Sequence, residues 1–102
     1  MKVTKDTTAL AVKAALCSVT KAKLEKLVPD DSLAHFGIIY NDVKEIIDNV
    51  LKIFEFSNER PEFDLVEFFN NGNWRSLTVS EFTDSCYDLL VHKAIEVHKE
   101  FE

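Results

Sequence analysis

A chain of 102 residues is the usual length of one domain, with room for one hydrophobic core and none for a large enzyme fold. Hydrophobic residues make up 46% of it and charged residues 29%, broken by only two Gly and two Pro, which excludes a disordered or fibrous chain and points to helices. Eighteen acids against twelve Lys and Arg leave a net charge of −6, which argues against nucleic acid or an anionic membrane as partner and favours a basic or neutral one.

The first predicted helix starts near Asp6 or Thr7, either of which can cap it, and carries Ala9, Val12, Leu16 and Val19 at three- and four-residue spacing. Lys13 and Ser18 fall on the opposite side. Residues 9–16 are broken by Lys13 and lack a signal-peptide cleavage pattern, and no run approaches the roughly 18 to 20 apolar residues of a membrane span. The chain is therefore expected to be soluble and cytoplasmic. Residues 21–27 remain compatible with helix, but Pro29 and the polar run Asp30, Asp31, Ser32 force a loop, so the helix should end by about Leu27.

After Gly37, the residues Val43, Ile46, Ile47, Val50, Leu51 and Phe54 follow the i, i+3, i+4, i+7, i+8, i+11 pattern of a core-facing stripe. Asn41 is a suitable N-cap, and Asp42 and Glu45 complement the positive end of the helix dipole, which predicts a helix over 41–55. Its outer face presents Asp42, Glu45, Asp48 and Asn49, interrupted by Lys44 and Lys52. Residues 57–62, with Pro61, read as a loop. The apolar cluster Phe63, Leu65, Val66, Phe68 and Phe69 fits two turns of helix, and a short strand is the alternative reading.

Thr78 followed by Glu81 is a capping-box pattern, and it introduces Phe82, Cys86, Leu89, Leu90 and Val97 on one face of a last helix of about twenty residues. Three long helices and one short one make an all-α bundle, without internal repeats or low-complexity stretches. Charge is uneven along it. Residues 1–27 hold six Lys and two acids, a net of +4, whereas residues 28–102 hold six bases and sixteen acids, a net of −10.

In this order, several strings resemble the acyl carrier protein family. Residues 27–38, Leu-Val-Pro-Asp-Asp-Ser-Leu-Ala-His-Phe-Gly-Ile, look like the long first loop of a carrier protein, in which a leucine four residues before a glycine tucks under the bundle. Gly37-Ile38, Asp42, Glu45-Ile46-Ile47 and Phe54 then occupy, without a gap, the positions such proteins fill with Gly-Ile/Leu, Asp, Glu-Leu-Val and Phe. Leu77-Thr78-Val79 looks like the family's Thr-Val start of the last helix, and the similarity spans roughly residues 8 to 91.

The resemblance implies a phosphopantetheine arm on the serine of an Asp-Ser-Leu tripeptide at the exposed start of the second helix. In this register the three positions fall on Ile39, Tyr40 and Asn41, so aspartate, serine and leucine are all absent. A phenol differs from a serine hydroxyl in reach and acidity, and Tyr40 is not expected to take the arm. An Asp31-Ser32-Leu33 tripeptide does occur. Were Ser32 the attachment site, the Val43 to Phe54 helix would start eight residues too late and Gly37 would fall inside the helix that should follow the serine, so the tripeptide belongs to the first loop. No cofactor is expected.

In carrier proteins the acidic second helix is the surface that basic partner enzymes recognise. The resemblance thus implies a docking face made of Asp42, Glu45 and Asp48, with Tyr40 at its start; the plainer reading is a solvated helix face. Cys17 and Cys86 fall in helical stripes, where free Cys behaves as a small apolar residue, with a single disulfide between them as the alternative. His92 and His98 are six apart, unlike the i, i+4 pair of a zinc helix, and no metal site is expected. Trp74 suits the edge of a core, or else a partner anchor. With only Gly37 and Gly72, no phosphate loop is possible, and no carboxylate pair marks a catalytic centre.

These features lead to the expectation of an acyl-carrier-like domain that carries no arm, is no enzyme, and docks a basic protein through its second helix. The alternatives are a working carrier modified on Ser32, and a small acidic inhibitor or immunity protein that masks a cationic toxin, with Tyr40 or Trp74 as anchors.

Overall fold

The computed structural model describes residues 2–21, 28–56, 69–98 and 100–101. Among them the secondary structure is all-α: α1 spans Lys5–Thr20, α2 spans Tyr40–Ile53 and α3 spans Val79–Glu96. Single 3-10 turns stand at Leu33–Phe36, Asn70–Gly72 and Trp74–Ser76, and the described residues contain no strand beyond two isolated backbone bridges. The short helix expected at residues 63–69 lies outside the described residues, apart from Phe69, as do residues 22–27, which the sequence reads as compatible with helix.

α1 starts earlier than its apolar spacing suggests. Its N-cap is Thr4, not Asp6 or Thr7: the Thr7 N–H donates to Thr4 Oγ1 (3.0 Å) and the Thr4 N–H to Thr7 Oγ1 (2.9 Å), a reciprocal cap built from two threonines. Thr8 is buried but not orphaned, because its hydroxyl donates to the Thr4 carbonyl at 2.7 Å. The helix ends at Thr20, where Lys21 turns left-handed (φ 62°) and its N–H donates to the Cys17 carbonyl. Ala11, Val12, Ala15 and Leu16 form the buried face.

All six residues of the α2 stripe, Val43, Ile46, Ile47, Val50, Leu51 and Phe54, are buried, each contributing about 1.5–3 kcal/mol relative to an exposed side chain. The helix ends at Ile53 instead of residue 55, because Phe54 and Phe56 both turn into the core across Glu55, which adopts a left-handed φ of 63°. α1 lies against both other helices, more extensively against α2.

α3 begins as its capping box predicts. The Glu81 N–H donates to Thr78 Oγ1 (3.1 Å) and the Thr78 N–H to Glu81 Oε1 (3.0 Å). Phe82, Cys86, Leu89 and Leu90 are buried, but Val97 is not part of the stripe: it lies past the helix end and is 58% exposed. The first loop supplies the rest of the cap. Val79 and Ser80, whose N–H groups have no intrahelical acceptor, donate to the carbonyls of Asp31 (2.9 Å) and Pro29 (3.0 Å), and the Leu33 N–H donates to the Leu77 carbonyl (2.9 Å).

Trp74 is buried, which removes it as an anchor for a partner. Its ring is covered by the Arg75 guanidinium, 4.5 Å from the centroid. Phe69 stacks on Phe82 with centroids 4.8 Å apart, and the two residues flanking the Asn-rich turn, Phe69 and Trp74, are both core residues.

Candidate functional site at the start of α2

The approach to α2 is set by three consecutive residues. Gly37 takes a left-handed φ of 66°, a conformation that a side chain would strain, and ends the Leu33–Phe36 turn. Ile38 is buried and Ile39 is extended, so the chain dips into the core and emerges at the helix start. Leu33, four residues before Gly37, is fully buried beneath this turn.

The N-cap is Ile39, not Asn41. A hydrocarbon side chain cannot accept a hydrogen bond, and the cap is made from the other end: Asp42 Oδ2 accepts the Ile39 N–H at 3.0 Å, with the carboxylate at the positive end of the helix dipole. Tyr40 becomes the first helical residue and Asn41 an exposed residue of the first turn.

This start leaves two adjacent apolar side chains in solvent, Ile39 at 56% exposure and Tyr40 at 42%. Lys44, one turn on, holds its ammonium 5.6 Å from the centroid of the Tyr40 ring. The three acids are not equivalent. Asp42 is half-buried and drawn back to the cap, whereas Glu45 and Asp48 are exposed. At about 100° per residue, Glu45 and Asp48 lie on the strip opposite the buried stripe, with Lys52 on the same strip one turn beyond Asp48. The sequence pattern does not mark Ile39 as a surface residue; its only signal is that it precedes the helix and so falls outside the apolar period.

Ser32 lies elsewhere. It is half-buried, its backbone is bridged to Thr78, and it precedes a four-residue turn closed by Gly37, eight residues before α2. The cysteines are both free thiols: Cys17 is half-buried, and Cys86 is fully enclosed, its thiol pushed far above the ordinary value by desolvation. Such a thiol is a packing group with no thiolate to offer as a nucleophile. Among the described residues, no group of three His, Cys, Asp or Glu side chains could hold a metal ion, and no helix is long and apolar enough to cross a membrane.

The chain matches no protein-family model, no curated protein and no solved structure.

Proposed function

We propose that this chain is a non-catalytic interaction module of acyl-carrier-like architecture, three long helices with a short fourth, which has lost phosphopantetheine attachment and docks a basic protein surface through the start of α2. The observation that carries this reading is the placement of Tyr40. It is the first residue of α2, exposed beside Ile39, at the position where the resemblance puts the family's serine. The same helix supplies the acids that the resemblance assigns to partner recognition.

The chemistry rests on these side chains. Ile39 and Tyr40 offer apolar area that gains about 25 cal/mol for each Å² removed from water on contact. Glu45 and Asp48 act at longer range, raising the rate at which a basic partner is captured more than the final affinity. Lys44 holds its ammonium over the Tyr40 ring, so an incoming guanidinium must compete with it there. Asp42 contributes mainly by holding the helix start in place, and reversing its charge would damage the cap along with the field.

Glu45→Lys combined with Asp48→Lys is thus the clean test. Basic proteins of the native host captured on the immobilised domain are expected to be released by salt, and the doubly reversed chain to associate with them about tenfold more slowly or worse. Lys52→Glu, on the same strip, is expected to speed association. Capture that is indifferent to both salt and these substitutions would rule out the α2 face.

A further inference from the structure

The turn that seats Trp74 carries chemistry unrelated to α2. Between the buried Phe69 and Trp74, the chain reverses through three successive left-handed residues, Asn70 (φ 55°), Asn71 (φ 53°) and Gly72 (φ 87°). Asn70 is tied down: its Nδ2 donates to the Asn73 carbonyl (3.1 Å) and to Ser76 Oγ (2.9 Å), which itself donates to the Asn73 carbonyl (3.0 Å). Asn71 is exposed and precedes the residue whose backbone nitrogen is the least hindered in any chain, a glycine.

We infer that Asn71 is a site of spontaneous deamidation, gated by opening of this turn. The Gly72 backbone nitrogen attacks Cγ of Asn71, forming an N–C bond and closing a five-membered succinimide. The Asn71 side-chain nitrogen leaves as ammonia, taking up the proton that the Gly72 amide gives up. Water then opens the ring at either carbonyl, giving aspartate or isoaspartate at position 71. The net change is amide plus water to carboxylate plus ammonium, with no redox step.

The closed turn holds this reaction back in two ways. The Gly72 N–H donates to the Phe69 carbonyl at 3.1 Å, and the Asn71 ψ of 39° turns that nitrogen away from the Asn71 side chain. Modification therefore proceeds from the locally opened form, and its rate reads how often the turn opens. Its product is not neutral for the fold. Aspartate adds a negative charge, and isoaspartate adds a methylene to the main chain inside a turn closed by the Gly72 N–H and by the Asn73 N–H to the Asn70 carbonyl (3.0 Å), loosening the support of Trp74.

The experiment ages the folded protein at mildly alkaline pH and follows it by peptide mass mapping, isoaspartyl methyltransferase labelling and native isoelectric focusing. Trp74, the single tryptophan, reports on the turn by its fluorescence. The expected result is conversion concentrated at Asn71, an acidic shift of one charge, a fluorescence change in the isoaspartyl fraction, and a several-fold faster reaction in denaturant. Asn71→Gln, which would require a larger ring, is expected to abolish the shift, and freshly made Asn71→Asp to reproduce it without ageing. Two results would overturn the inference: an intact Asn71 in folded protein after the unfolded chain has fully converted, or conversion spread evenly over Asn41, Asn49 and Asn73.

Discussion

At the scale of single residues, the caps show where sequence patterns suffice and where they do not. Thr78 with Glu81 is legible because both halves of the box are standard residues at the standard spacing. Thr4 with Thr7 hides, since threonine at the third helical position is an uncommon reciprocal partner and the apolar stripe begins only at Ala9. Ile39 hides more fully, because it caps α2 through its backbone alone while Asp42 does the accepting. The two thiols give a prediction at the same scale. In native protein Cys17 is expected to react with an alkylating reagent before Cys86, whose alkylation waits for unfolding. Burial raises the folded-state pKa of Cys86 above its unfolded value, so its contribution to stability is complete below that value and is lost as pH rises past 9.0. Cys86→Ala is expected to flatten that alkaline fall in the denaturant midpoint; an unchanged slope would remove Cys86 as its source.

At the scale of elements, α2 was readable because a full-length stripe must face the core whatever it packs against, and all six stripe residues do. Its end was not, since the stop is imposed by burying Phe54 and Phe56 and no glycine announces it. The stripe of α3 overran for the converse reason: Val97 keeps the period after the helix has stopped, and the period cannot see the stop. Two isoleucines of α2 separate face from composition. Ile46→Ala empties a fully buried site and is expected to cost about 2–5 kcal/mol, whereas Ile53→Ala, at the partly exposed helix end, is expected to cost under about 1 kcal/mol. Urea unfolding measures both, and equal losses would contradict the assigned faces.

At the scale of the whole molecule, the all-α class was legible in composition, while the way the first loop joins the ends of the helices was not. No local pattern shows that the carbonyls of Pro29 and Asp31 complete the α3 cap, since these partners are about fifty residues apart in sequence. Trp74, which the sequence favours as a core-edge residue with a partner anchor as the alternative, is placed in the core by the turn before α3. The α2 site was legible as a row of acids and a tyrosine, but not as a graded one, with Asp42 committed to the cap and Ile39 added to the surface. The proposed reading gives the molecule a carrier-like helix start without the carrier's chemistry. The most direct measurement is the intact mass of the chain before and after incubation with coenzyme A and a promiscuous phosphopantetheinyl transferase, with Ser32→Ala alongside. The bare-chain mass in both states is the predicted result. A phosphopantetheine adduct on wild type that Ser32→Ala abolishes would contradict it and make the chain a working carrier.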